Sequence, residues 1–239
     1  IRRQRQMCIR DRVKIVDIGH DNFDSACEAL ELGSVDMAVV DMAQLIRMEK
    51  NDENLPYGVV ISGVLKRGDS RYVMIRKRHA KDLIENAVVA TDSYSKTERI
   101  KHMYDGISCV VETDIRKCIE KLDASECDAV FVLLEDIKAA RLHNSFLYRY
   151  TIMDYGECVP VHGEGVYAML TKGKKEAVRT ARELSHKSTA ECFEIEDDII
   201  SRVMQNVYVK TCDVYARISS DRLEIYADVT GCLLYTSPS

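Results

Sequence analysis

The chain contains no Trp, four Phe and three Pro among 239 residues. With Pro confined to positions 56, 160 and 238, Pro-rich linkers and polyproline tracts are excluded. Long apolar runs are also missing: the longest, such as Ala129 to Leu134, fall far short of the roughly 20 residues that a membrane-crossing helix requires. No global excess of basic charge exists, since the formal net charge is -5, and this argues against nucleic acid as the main partner. Nine Cys are scattered without a single CxxC pair, so neither a zinc cluster nor a disulfide framework is expected, and a reduced cytoplasm is the expected compartment. P-loop, G-x-S-x-G and zinc-protease motifs are absent.

What is present is a mixture of 46% hydrophobic and 31% charged residues, the balance of a soluble globular protein long enough for two or three small domains. Residues 1–12 carry five Arg without apolar periodicity, and 232–239 end in Ser-Pro-Ser. Both segments are expected to be non-native, which would make the chain a fragment.

Val13 to Ile18 reads as a strand, and Phe23, Ala26, Cys27 and Leu30 have the i, i+3, i+4, i+7 spacing of an amphipathic helix. A buried strand at Met37 to Val40 and further β signal at Tyr57 to Leu65 and Tyr72 to Ile75 follow. From Ala87 the pattern is regular: strand 87–90, helix 95–103, strand 108–111, helix 114–122, strand 129–134. Such alternation predicts βαβ units and a mostly parallel sheet. Lys174 to Glu183 and Glu194 to Met204 read as helices, and Cys212 to Ile218 and Leu223 to Val229 as strands around Ser219-Ser220-Asp221-Arg222.

One run stands out, Val159-Pro160-Val161-His162-Gly163-Glu164-Gly165-Val166-Tyr167-Ala168, where a Pro and two Gly bend the backbone before a strand. It resembles the L-P-A-x-G-Q-G segment of hydroxymethylbilane synthases, also called porphobilinogen deaminases. Four further blocks resemble that family in order: Ala29 to Val39 (A-L-x-x-G-x-x-D-I-A-V), Asp69-Ser70-Arg71 (D-P-R), Val89 to Ser93 (V-G-T-S-S) and Lys121 to Ala129 (K-L-x-x-G-x-Y-D-A). The resemblance spans roughly residues 13 to 230. It implies an α/β protein, two α/β lobes flanking a cleft plus a small α+β C-terminal domain. Residues 13–76 with 159–172 would form the first domain, lacking the family's N-terminal strand and loop, 77–155 the second and 174–230 the third.

The family's reaction joins four porphobilinogen units, releasing ammonia each time, on a dipyrromethane primer held by a Cys thioether. The resemblance therefore implies tetrapyrrole biosynthesis, a cytoplasmic location, and a small anionic partner such as porphobilinogen, with neither nucleic acid nor membrane. Several functional positions depart from the pattern. The catalytic Asp position of H-S-x-K-D is Gln44, which cannot supply a negative charge, and the Lys position is Ala43. Asp41 is read as a solvated or capping residue. An ungapped match to G-G-C-x-V-P-x-G-A-Y-A puts Tyr208 at the primer Cys position, while Cys212 is read as a small buried hydrophobe.

Two Arg positions are Ser95 and Lys96, and two more are Glu112 and Cys118, where Glu112 would repel a propionate. Thr91, Ser93 and Lys96 keep some anion-binding capacity, whereas Arg116 and Lys117 are read as a solvated helix face. The spacing of Cys158 and His162 suits a metal but lacks further ligands, so no metal is expected. His20, His79, His102, His143 and His186 lie in unrelated segments and are read as surface or packing residues. The expected protein is a family homologue with impaired catalysis and without bound dipyrromethane. The alternative is a non-catalytic small-anion or solute-binding module with a two-lobed cleft.

Overall fold

A computed structural model describes residues 23–51, 53–80 and 86–231. The expected strand at 13–18, His20 and both terminal segments lie outside these residues. The fold is mixed α/β and contains three sheets: three strands, five strands and a two-stranded ribbon among the described residues.

The three-stranded sheet has β1 (Met37–Asp41) and β2 (Val59–Val64) on either side of β8 (Tyr167–Lys172), both antiparallel to it. Helix α1 (Phe23–Glu31) buries Phe23, Ala26, Cys27 and Leu30 against this sheet, as the spacing predicts, and α2 (Met42–Lys50) follows β1 directly. In the five-stranded sheet the order is β5 (Ser108–Val111), β4 (Val88–Thr91), β6 (Ala129–Leu133), β3 (Tyr72–Lys77), β7 (Tyr148–Ile152).

Strands β4, β5 and β6 are parallel, joined through α3 (Tyr94–Met103) and α4 (Ile115–Asp123). Strands β4, β5, β6 and β7 run in one direction, as expected, and β3 alone runs antiparallel to its neighbours β6 and β7. The reason is connectivity: β3 enters from the three-stranded sheet and belongs to no βαβ unit, whereas β7 returns beside it after β6 and a helix.

All of Ala129-Val130-Phe131-Val132-Leu133 is buried, as an apolar run in a sheet covered on both faces must be. Val130 and Val132 pack with Cys118, Ile119 and Leu122 of α4, and with Ile137 of α5 (Leu134–Ala139). On the opposite face Phe131 meets Ile100 of α3 and Tyr72, whose ring centroid lies 4.7 Å away. Helix α6 (Lys175–Leu184) packs on the three-stranded sheet, where a Cβ on Gly63 of β2 would meet the Ala181 carbonyl at 2.9 Å. Helix α7 (Lys187–Val203) packs on the hairpin of β9 (Val209–Ser219) and β10 (Arg222–Gly231), and the two form a third unit. The hairpin strands are longer than their sequence signal because Thr211 pairs with Thr230 and, past a bulge, Val209 with Gly231, outside the apolar alternation.

Candidate functional site

The registers bring one end of each large sheet together. Asp41 pairs with Tyr167, Tyr72 with Leu133, and Thr91 with Phe131, so β1, β4 and β6 end where β3 and β8 begin. Two crossovers link the sheets there, one from β2 to β3 and one from β7 to β8, joined by Gly68 N–H donating to Gly165 O at 3.2 Å. Strand ends followed by helix N-termini are where α/β sheets place ligands.

The β7–β8 crossover is held by close backbone approach. Gly163 has φ +85°, and a Cβ there would meet Ile46 Cδ1 at 2.6 Å and Ala43 N at 3.0 Å. Gly165 has φ +72°, and its Cβ would strike the Ser70 hydroxyl. Between them Glu164 is turned inward, 5% exposed, and accepts a hydrogen bond from the Tyr72 hydroxyl. Val161 N–H donates to the same hydroxyl at 3.1 Å.

Lys96, on the first turn of α3 and 3% exposed, is the positive centre of this region. Its Nζ donates to Asp92 Oδ1 at 2.6 Å and Oδ2 at 2.7 Å, and lies 3.7 Å from Glu164 Oε1. Burial opposes its charge, yet attraction to Glu164 and Asp92 wins, and its pKa is raised. Two of the surrounding carboxyl groups are raised as well, which favours their neutral forms. Burial pushes the Glu164 carboxyl up to about 7, partly offset by Lys96 and the Tyr72 hydrogen bond. Burial likewise raises Asp136, on the first turn of α5, to about 6, and neighbouring Asp92 and Asp41 add to the effect.

Asp41 opens to solvent along one side and is crowded by protein on the other; desolvation raises it, while the Ala43 N–H bond at 2.7 Å lowers it. Four carboxyl groups thus gather around one ammonium. The cluster attracts a cation or an N–H donor more readily than another carboxylate.

Thr91, Ser93 and Lys96 come together at a single strand-to-helix junction. Thr91 Oγ1 is buried and has no hydrogen-bond partner. Ser93 is the N-cap of α3 but makes no side-chain cap bond; its hydroxyl instead meets Ser95 Oγ at 3.1 Å. The positive end of α3 therefore lies beside the acidic cluster with two hydroxyls next to it. Gln44 is half-buried on the first turn of α2, whose N-cap is Asp41. The helix begins between Asp41 and Gln44, and Asp41 caps it by accepting from Ala43 N.

Tyr208 is 49% exposed in the turn before β9. Cys212 is buried, and desolvation raises its thiol. Glu112 lies 3.9 Å from Lys121, while Arg116 and Lys117 are exposed. Cys158 lies in the core and His162 stacks on Phe193 at 4.9 Å; no cluster of three metal-ligating side chains occurs among the described residues. His79 and His102 are exposed, and His186 caps α7 by accepting from Thr189 N.

Sequence reasoning passed over Tyr72, Asp92, Asp136 and Glu164. One signal was available: Glu164 stands where the quoted L-P-A-x-G-Q-G pattern has Gln, so a carboxylate appears in the crossover as one disappears at Gln44.

The third unit is clamped to this region by buried ion pairs. Arg99 of α3 reaches Asp213 at 2.5 Å and also Asp228, and Asp213 accepts from His162 N at 3.1 Å. Arg67 of the first crossover forms a two-pronged pair with Glu196 of α7 at 2.5 and 2.8 Å. Tyr155, Tyr215 and Tyr226 pack together beside it, with Tyr155 and Tyr215 stacked at 4.2 Å.

A family model described as "Porphobilinogen deaminase, dipyromethane cofactor binding domain" matches residues 15–180. The porphobilinogen deaminase of Clostridium acetobutylicum is 22% identical over 208 residues, covering 82% of this chain and 70% of that protein. The probable porphobilinogen deaminase of Picrophilus torridus is 23% identical over 71% of this chain and 61% of its own length. For the porphobilinogen deaminase of Chlorobium limicola the identity is 26%, over 73% of this chain and 56% of that protein. The chain thus spans between 56% and 70% of these relatives. Among solved structures, the periplasmic VFT2 domain of Bordetella pertussis BvgS is similar with a TM-score of 0.49 and 17% identity, covering 84% of this chain and 81% of that one. No helix among the described residues is long and apolar enough to cross a membrane.

Proposed function

Because the chain belongs to the porphobilinogen deaminase family, we propose that its cleft binds a porphobilinogen-type pyrrole reversibly, without the family's primer-dependent condensation. The observation that carries this reading is the pairing of opposite chemistries at the strand ends. Asp92, Asp136 and Glu164 surround Lys96, and the Ser93 end of α3 adjoins them. A pyrrole bearing an aminomethyl group and carboxylates presents both matching charges. Its ammonium and ring N–H would face the carboxyl cluster, and a side-chain carboxylate would face the α3 N-terminus and the Ser93 and Ser95 hydroxyls. Recognition thus shifts from carboxylates held by Arg forks toward the nitrogen end of the ligand.

Dipyrromethane supplies the family with a covalent anchor on which the chain grows. The residues at that position do not fit a thioether: Tyr208 lies outside the matched span and has no thiol. It precedes Asp213, the β9 residue that touches α3, by five residues, roughly 16 Å of extended chain. Cys212 is buried with a raised thiol pKa, the opposite of a reactive thiolate. Gln44 can hydrogen-bond a pyrrole N–H but cannot stabilise a developing cation by charge.

A second reading, a small amphoteric solute such as an amino acid, draws on the same juxtaposition of acids and helix N-terminus. Mass spectrometry separates the two. After incubation with porphobilinogen, the native mass should rise by one ligand and the denatured mass should stay unmodified. The same test with amino acids should leave both masses unchanged. A covalent increment in the denatured protein would overturn the loss of the anchor, and a native complex with an amino acid alone would favour the second reading.

A further inference from the structure

Tyr167 opens β8 where the two large sheets meet, and it is 41% exposed although Val166 and Ala168 on either side of it are fully buried. Its backbone is pinned from both flanks. Met42 N–H donates to Val166 O at 2.9 Å, Leu65 N–H donates to Tyr167 O at 2.9 Å, and Asp41 of β1 lies opposite Tyr167 in the register. The charges of Asp136 and Glu135 on α5, Asp41 at the end of β1 and Lys96 on α3 all act on its phenol. The side chain therefore stands beside the acidic cluster, contributed by the three-stranded sheet, while Lys96, Asp92 and Asp136 come from the five-stranded one.

A single exposed Tyr on a strand carries no message by itself. This one differs in where it stands and in what its ring leaves undone. The rings of Tyr72, Tyr155, Tyr215 and Tyr226 each pack on another ring, but none of the ring contacts among the described residues involves Tyr167. Desolvation raises its pKa, and Asp136, Asp41 and Glu135 add to the effect, so the hydroxyl keeps its proton and the ring stays uncharged among the acids. A Tyr ring has only two side-chain torsions to fix, and here the backbone beneath it is already fixed, so covering that ring costs little entropy.

We propose that Tyr167 is the wall on which the ligand's ring lies while the carboxyl cluster takes its ammonium, so that the cleft selects a planar aromatic ring bearing an aminomethyl group over an aliphatic amine of the same charge. The inference rests on the reading that this cleft binds an aminomethylpyrrole, and it adds the residue that reads the ring. One methylene joins ring and ammonium in such a ligand, which matches an aromatic face standing directly beside carboxylates. Offset or edge-on packing of the two rings adds affinity beyond the area it covers. An aliphatic amino acid satisfies the same carboxylates but leaves the aromatic face without a partner ring, which separates it from an aminomethylpyrrole by a contact that charge alone does not supply.

The test titrates the whole chain with benzylamine, with cyclohexylmethylamine, which has the same charge and nearly the same size, and with porphobilinogen, following NMR shifts and heat of binding. Wild type should prefer benzylamine over cyclohexylmethylamine by roughly 3–10-fold. Tyr167→Leu should erase that preference and weaken porphobilinogen by a similar factor, whereas Tyr167→Phe, which keeps the ring, should retain both. Tyr57→Leu removes a 96% exposed Tyr at the opposite end of β8 and should change neither. A benzylamine preference that depends on Tyr167, without any porphobilinogen binding, would count against the pyrrole reading and leave the aromatic wall standing. Porphobilinogen binding at full strength in Tyr167→Leu would overturn the wall and leave the pyrrole reading standing. Equal binding of the two amines by wild type, no binding of either, or a preference kept in Tyr167→Leu would also overturn it. The comparison of amines on wild type decides even if Tyr167→Leu does not fold.

Discussion

Removing Glu196 should undo the junction between the third unit and the rest of the molecule. Its carboxylate is fully buried, with Oε1 accepting from Arg67 Nη1 at 2.5 Å and Ala216 N at 2.7 Å, and Oε2 accepting from Arg67 Nη2 at 2.8 Å. In Glu196→Ala the guanidinium keeps only Ala216 O at 3.3 Å and the Tyr215 ring, and the Ala216 N–H is orphaned. Breaking a buried pair from one side costs about 3–5 kcal/mol, because a charge stays buried without its partner. At about 2–4 °C per kcal/mol for a chain of this size, Tm should fall by roughly 6–20 °C.

Urea unfolding of Glu196→Ala, Arg67→Met and the double variant Arg67→Met/Glu196→Leu measures this. The double variant should lose less than either single variant, since it removes both charges and retains only the orphaned Ala216 N–H. Hydrogen exchange should locate the loss in β9 and α7. A loss below about 1 kcal/mol in Glu196→Ala, or strictly additive losses in the double variant, would show that the pair does not hold this junction.

Three further outcomes follow from the same structure. Gly165→Ala places a Cβ against the Ser70 hydroxyl at a positive φ and should cost about 1–3 kcal/mol in urea unfolding, with Gly156→Ala, where the space is open, as the mild control. Glu164 and Asp136 hold their protons more tightly folded than unfolded, so their contribution favours folding at low pH and is lost as pH rises, from 3.8 toward about 6 for Asp136 and from 4.5 toward about 7 for Glu164. Glu164→Gln should flatten that decline, by at most about 1.4 kcal/mol per pH unit. Arg99→Ala leaves Asp213 and Asp228 facing each other across the hairpin without their shared cation; proteolysis of the third unit should speed up, and salt should partly restore its resistance.

The legible parts of the fold were those fixed by local pattern. Phe23, Ala26, Cys27 and Leu30 face one way on any helix, and the run Ala129 to Leu133 can only be a strand buried on both sides. Helix α2 carries a weak sequence signal: Asp41 and Gln44 have the spacing of a capping box, but only Met42, Ala43 and Leu45 of its nine residues are buried, too few to set up a helical period. The antiparallel entry of β3 was invisible for a different reason. It depends on which sheet the strand joins, and Tyr72 to Lys77 has the same apolar pattern in either.

The site divides along the same line. Thr91, Ser93 and Lys96 are close in sequence and were identified together. Of the partners that set their chemistry, Asp92 is four residues from Lys96, whereas Glu164 is 68 residues away and Asp136 approaches through β6. A lysine that looks like an anion ligand in sequence is already paired in the fold. The local and long-range pairings together reverse the sign of the site.

In the proposed function the acidic cluster around Lys96 holds the nitrogen end of a porphobilinogen-type ligand. Calorimetric titration of porphobilinogen into wild type, Asp92→Asn and Glu164→Gln at pH 8, where the Glu164 carboxyl is mainly ionised, tests it most directly. Saturable binding of one ligand by the wild type, weakened about tenfold or more in each variant at a cost of roughly 1.4 kcal/mol, is the predicted result. Binding of equal strength in all three proteins, or tighter binding once either carboxylate is neutralised, would contradict it.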